Sequence, residues 1–252
     1  MIPTTAPGQS DLSIAVAATK AAAAAALAAR AEPLRARAKS VSADLVTDAD
    51  GRAEAAAVAV LRARRPDDAI AGEEGADHAG SGSRRWWIDG IDGTVAFANG
   101  LPSWCSAVAL EDEHGPKASA IYDPVAGELY AGERGAGSET RVRTGRTLEQ
   151  AQVAAFFRQD RLVLPGVRET ARRVLDAAGL LRHAGPGSLE LAWVAAGRLD
   201  AWIQPATDPW DWHPGALLVT EAGGEARVVE GRTRWFIAGP STLVDELAAL
   251  IT

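Results

Sequence analysis

The chain has 252 residues, 47% of them hydrophobic, so it is long enough to bury a sizeable core and too apolar to stay disordered. Its net charge of −7 offers no basic surplus to displace the counterions of a nucleic-acid backbone. The single cysteine, Cys105, excludes an intrachain disulfide and reads as a small buried hydrophobe, and no Cys/His cluster offers a tetrahedral zinc site.

Residues 1–10 form a polar tail. Ser10 and Asp11 cap an alanine-rich helix predicted to run to about Ala38, with Pro33 kinking or dividing it. No basic region followed by an apolar core marks a signal peptide. The stretch Ala21 to Ala29, flanked by Lys20 and Arg30, is too short to span a bilayer, so a cytoplasmic protein is expected. After a loop at Lys39 to Ala43, Thr47 or Asp48 caps a second helix ending near Arg64, ahead of Pro66. A short strand, Ala69 to Ala71, enters Gly72-Glu73-Glu74-Gly75, and a second strand, Arg85 to Ile88, enters Asp89-Gly90-Ile91-Asp92-Gly93-Thr94. Residues 104–111, 117–122 and 128–132 read as an antiparallel meander with turns at His114-Gly115-Pro116 and Asp123-Pro124.

From about residue 150 strands and helices alternate. Strands are predicted at 152–156, 180–184, 199–203, 225–229 and 234–238, and helices at 166–178, 188–196, 211–222 and 241–251. The chain therefore divides into an α+β half, 1–145, carrying the acidic motifs, and an α/β half, 146–252, completing the site.

Four acidic segments carry the chemistry: Asp44 to Asp50, Gly72-Glu73-Glu74, Asp89 to Thr94, and Pro209-Trp210-Asp211. Three lie where a strand gives way to a loop or a helix begins, the places where α/β proteins gather ligands. Carboxylates without Cys or converging His suit Mg2+ or Mn2+. Thr94 stands at a predicted helix N-terminus, where free N–H groups favour an anion. Together they point to metal-assisted chemistry on a phosphate ester.

The run Trp86-Trp87-Ile88-Asp89-Gly90-Ile91-Asp92-Gly93-Thr94-Val95-Ala96-Phe97 resembles the W-x-I-D-P-I-D-G-T-x-x-F signature of the inositol monophosphatase family. The Gly-Glu-Glu before it, and Trp210-Asp211 with Glu221-Ala222-Gly223-Gly224 after it, are similar to that family's other two motifs, in the same order. The resemblance covers about residues 11–250. It implies a layered αβαβα fold, a lithium-sensitive metal-dependent phosphomonoesterase, and a homodimer. It makes Glu73, Asp89, Asp92, Asp211 and the Ile91 carbonyl the metal ligands. Glu73 and Thr94 pair to activate water, with Asp50 an acid near a further metal and Lys39 on a loop. The N–H groups of Gly93 and Thr94 hold the phosphate.

The departures fall at the pocket. Gly90 replaces a proline and is expected to loosen the loop. Pro186 and Gly187, after Gly185, replace small wall residues, and Gln204 replaces a glutamate that binds substrate hydroxyls. His213 either reaches substrate or packs near its helix start, and Pro214 is expected in that helix's first turn. Trp212 either stacks on a flat substrate ring or fills the core. The implied reaction is hydrolysis of a small polyol, sugar or nucleoside monophosphate. Histidinol phosphate is the alternative substrate, and a non-catalytic metal- or phosphate-binding relative the alternative class.

Overall fold

The computed structural model describes residues 9–31, 36–38, 45–183 and 185–251; Lys39 lies outside them. The helices are α1 (Asp11–Arg30), α2 (Asp48–Arg64), α3 (Thr94–Ala98), α4 (Gln159–Leu162), α5 (Val167–Ala177), α6 (Gly187–Ala195), α7 (Pro209–Glu221) and α8 (Ser241–Ala248). The strands of the first half are β1 (Ala36–Ala38), β2 (Leu45–Thr47), β3 (Ala69–Gly72), β4 (Asp77–His78), β5 (Arg85–Asp92), β6 (Cys105–Asp112), β7 (Gly115–Asp123) and β8 (Glu128–Glu133). Those of the second half are β9 (Gln152–Ala155), β10 (Leu180–Arg182), β11 (Ala201–Pro205), β12 (Glu225–Val229) and β13 (Trp235–Gly239).

Two sheets stack with helices outside and between them. The six-stranded sheet has the order β4-β3-β5-β6-β7-β8, and the five-stranded sheet β10-β9-β11-β13-β12. Helices α1 and α2 cover one face of the first sheet, and α6 and α7 lie between the sheets. Helices α5 and α8 cover the far face of the second sheet, which completes five layers, αβαβα. The meander β5-β6-β7-β8 is antiparallel throughout, as its turn signals imply.

Helix α1 is long and apolar enough to cross a membrane by length and composition. Here it packs on the sheet and on α2, burying Ile14, Ala15, Ala18, Ala22 and Ala26. It faces Ala49, Ala53 and Ala57 of α2, and small side chains on both helices let the backbones approach closely. The helix stops at Arg30, eight residues short of the expected Ala38. Residues 36–38 instead pair with β2 in an antiparallel ladder, Ala36 opposite Thr47. The helix therefore ends just past the alanine stretch, ahead of Pro33, whose ring has no N–H to give a continuing helix. Likewise α7 begins at Pro209, which puts Pro214 inside the helix rather than in its first turn.

Candidate active site

Strand β5 ends in an irregularity that builds the site. In a regular strand, residues three apart point to opposite faces. Between Asp89 and Asp92 the β5–β6 register slips by a bulge, which turns both carboxylates to one side. The Ser106 hydroxyl donates to the Gly90 carbonyl at 2.7 Å and the Ile91 N–H to Asp89 Oδ1 at 3.0 Å, so the bulge is fixed in place. A Cβ at Gly90 would lie 2.8 Å from the Glu54 backbone nitrogen and 3.0 Å from Ala53 Cβ. Glycine therefore does not loosen the loop, as the sequence suggested. It lets α2 close onto it.

Asp211 enters from the first turn of α7. Carboxylate oxygens of Asp89, Asp92 and Asp211 lie within 4.8 Å of one another. Burial, then repulsion from Glu73 and its fellow aspartates, pushes the Asp89 carboxyl well above the usual range, and Asp211 likewise. Burial raises Asp92 to about 6, against the hydrogen bonds it accepts from Ser188, whose N–H lies 2.7 Å from Oδ2. Oxygen donors crowded at this cost in charge are a fit for a hard divalent cation.

Glu73 follows β3, the parallel neighbour of β5, and its N–H donates to the Ile88 carbonyl at 3.1 Å. Its turn is held from α2 by Glu54, a buried carboxylate that accepts the N–H groups of Glu74 and Ala76, each at 2.8 Å. The sequence reading overlooked Glu54, which lies on the buried face of α2 with Ala53, Ala57 and Leu61.

Asp50 is 2% exposed and has two roles. One oxygen accepts the N–H and hydroxyl of Thr47 at 2.7 and 2.6 Å, capping α2. The other accepts the Thr94 hydroxyl at 2.7 Å. Thr94 is thus hydrogen-bonded to Asp50, a partner the sequence did not name, beside the role it shares with Glu73 in the family likeness.

These groups open on a cavity of about 920 Å³. Glu73, Asp89, Ile91, Asp92, Gly93, Thr94 and Asp211 are among its lining residues. Gly93 has φ +96°, and a Cβ there would meet the Ser103 carbonyl at 2.9 Å, so only glycine turns the chain into α3. Gly185, Pro186, Gly187 and Gln204 also line the cavity, Pro186 close beside Gly93. The buried Gln204 Oε1 has no hydrogen-bond partner, which marks it as an acceptor facing a missing donor.

The His213 ring stacks on Trp87 at 5.8 Å and its Nε2 lies 3.8 Å from Glu111, and burial lowers its pKa against the pull of Glu111. These contacts fit the packing reading, and His213 is not among the residues lining the cavity. Trp212 packs between Trp202 and Phe236, in the core. The aromatic side chains on the cavity are Trp210 and Phe156, and Arg158, Gln159, Asp160 and Arg161 join them. Nothing in the sequence reading marked residues 156–161. They form a four-residue helix and its approach, too short for any periodicity to show.

The inositol monophosphatase family model matches residues 9–250. The chain belongs to the inositol monophosphatase family. That family is one of metal-dependent phosphatases, and the carboxylate cluster is consistent with it. A Pseudomonas aeruginosa protein named Nus factor SuhB is 34% identical over 228 residues, 81% of this chain and 84% of its own. The inositol-1-monophosphatase of Rhizobium meliloti is 33% identical over 212 residues, 78% of this chain and 77% of its own. The crystal structure of the extragenic suppressor protein SuhB from Bartonella henselae superposes with a TM-score of 0.86 and 30% identity, over 94% of this chain and 96% of that one.

Proposed function

We propose that this protein is a Mg2+-dependent phosphomonoesterase that hydrolyses a small polyol, sugar or nucleoside monophosphate. The observation that carries the reading is the convergence of Asp89, Asp92 and Asp211 beside the Thr94–Asp50 pair at one cavity. Glu73, Asp89, Asp92, Asp211 and the Ile91 carbonyl would hold Mg2+, with Mn2+ a substitute. When bound, the cations offset phosphate charge, acidify water and stabilise the leaving oxygen.

The chain's own groups do the rest. The Thr94 hydroxyl gives its proton to Asp50 and keeps lone pairs to accept one from an attacking water. Glu73 orients that water from the other side. The N–H groups of Gly93 and Thr94, at the start of α3, have no acceptor within the helix and are free to hold phosphate oxygens. Gln204 Oε1 takes a substrate hydroxyl. Family likeness alone supports a homodimer and a cytoplasmic setting, and light scattering checks the first.

The test is phosphate release from inositol, sugar, nucleoside and histidinol monophosphates, with Mg2+ and with chelator. Histidinol phosphate belongs in the screen because Phe156 and Trp210 bring aromatic rings to the cavity lining. The second reading, a non-catalytic relative, draws on the name Nus factor carried by the Pseudomonas protein. No release from any of these esters in Mg2+ would favour it.

A further inference from the structure

Four charged side chains line the cavity in addition to the metal cluster: Arg158, Asp160, Arg161 and Asp208. They are not equivalent. Arg158 is committed, because its Nε and Nη2 bind the two oxygens of Asp160 at 3.2 and 3.0 Å. Arg161 is not. Its nearest carboxylates are Asp160 at 3.6 Å and Asp208 at 3.7 Å, both beyond hydrogen-bonding distance. Among the described residues, no acceptor satisfies any of its side-chain donors. Yet the side chain is only 27% exposed and lies on the cavity wall.

The counter-charge of Arg161 is also displaceable. Asp160 is already spent on Arg158. Asp208 is 50% exposed and stands at the N-cap of α7 without making a side-chain cap bond. An exposed pair of this kind contributes little, so swinging Asp208 into water costs little. What remains is a half-buried, planar fork of donors whose best partner is a carboxylate or a phosphate. Its place is defined as well. Asp208 precedes Asp211 by three residues, and the Asp211 N–H bonds the Asp208 carbonyl at 3.2 Å, so the fork lies on the Asp211 side of the cavity. The cavity, about 920 Å³, has room for a substrate that carries a second charged group besides the phosphate at the cluster.

We propose that Arg161 selects phosphate monoesters whose leaving group carries a second anion, a phosphate or a carboxylate. This deepens the phosphatase reading and rests on it.

The experiment compares paired substrates with the full-length protein in Mg2+: fructose 1-phosphate against fructose 1,6-bisphosphate, and glycerol 3-phosphate against 3-phosphoglycerate. The doubly anionic member of each pair should be preferred in kcat/KM by roughly tenfold or more. Arg161→Gln should cut that ratio by about tenfold, mainly through KM, and Arg161→Lys should keep part of it. A preference for bisphosphate alone identifies the second anion as phosphate, and a preference in both pairs identifies either anion. A wild-type ratio near one, or a ratio that Arg161→Gln leaves intact, overturns the proposal and spares the phosphatase reading. If none of the four esters is hydrolysed, the phosphatase reading is decided by the wider ester screen above. Calorimetric binding of the same pairs then decides the role of Arg161, and equal affinity within each pair overturns it. Circular dichroism of each variant confirms the fold.

Discussion

The Thr94 hydroxyl lies 2.7 Å from Asp50 Oδ1, across 44 residues of sequence. One residue begins α3 and the other sits in the first turn of α2, so two helix starts are joined by one proton. If that proton relays the charge of an attacking water, Thr94→Ala should lower kcat by roughly 10²-fold with little change in KM. Thr94→Ser should retain most activity. Asp50→Asn should lose activity similarly and also about 1 kcal/mol of stability, since Asp50 caps α2. Steady-state kinetics and thermal unfolding on the three variants check this. Full turnover in Thr94→Ala would remove the relay.

What could be read from the sequence were groups carried by contiguous motifs. Glu73, Asp89, Asp92 and Asp211 each sit in a short run whose residue types declare their chemistry. The bulge that aims Asp89 and Asp92 together was not readable, because it depends on pairing with β6. The Thr94–Asp50 hydrogen bond was not readable for a similar reason: the motif names the threonine, but the contact joins residues 44 apart in sequence. Residues 156–161 were missed outright, since a four-residue helix leaves no pattern and Arg161 acquires meaning only from Asp208. The alanine run misled in the other direction, because strong helix propensity hides where a helix must stop.

The carboxylate cluster makes the metal-free protein sensitive to pH. Asp89, Asp92 and Asp211 have carboxyl pKa values raised by burial and mutual repulsion, Asp92 to about 6. The folded chain therefore retains protons that the unfolded chain has released, and stability falls as pH rises from about 4 through 6. Asp92→Asn keeps the acceptor for the Ser188 N–H and removes one charge. At pH 7.5 in chelator its Tm should exceed the wild type by about 4 °C, on the order of 2 kcal/mol. In Mg2+ the order should reverse, because the wild type gains binding energy that the variant lacks. Calorimetry in both buffers reads the crossing. A variant that Mg2+ stabilises as well as the wild type would remove Asp92 from the metal site.

Gly90 tests whether the bulge needs the close approach of α2. A methyl at that position would press on the Glu54 nitrogen at 2.8 Å, which is backbone and cannot rotate away. Gly90→Ala should cost roughly 1–3 kcal/mol by overpacking. It should also lower kcat/KM, since the displaced helix carries both Asp50 and Glu54. Unfolding in urea and Mg2+-dependent activity measure the two effects. A variant of unchanged stability would show that α2 yields without cost.

At the far end of the sheet, Asp11 anchors the start of α1 to three cations. Its Oδ1 meets Arg65 at 3.0 Å and Arg84 at 2.9 Å, and its Oδ2 meets Lys117 at 3.1 Å. Burial pushes its pKa up, but hydrogen bonds from Arg84, Lys117 and Arg65 outweigh this and hold it well below the usual carboxylate range. A depressed carboxyl stabilises the fold at every pH above its unfolded value, near 4, and loses that contribution as pH falls toward its folded value. Asp11→Asn leaves three cations facing a neutral amide and should cost roughly 3 kcal/mol at pH 7. Below about pH 4 the wild type loses the same contribution, so the two Tm curves should converge toward pH 2. Thermal melts across that range decide the matter. Curves that stay parallel would mean that Asp11 acts by packing and not by charge.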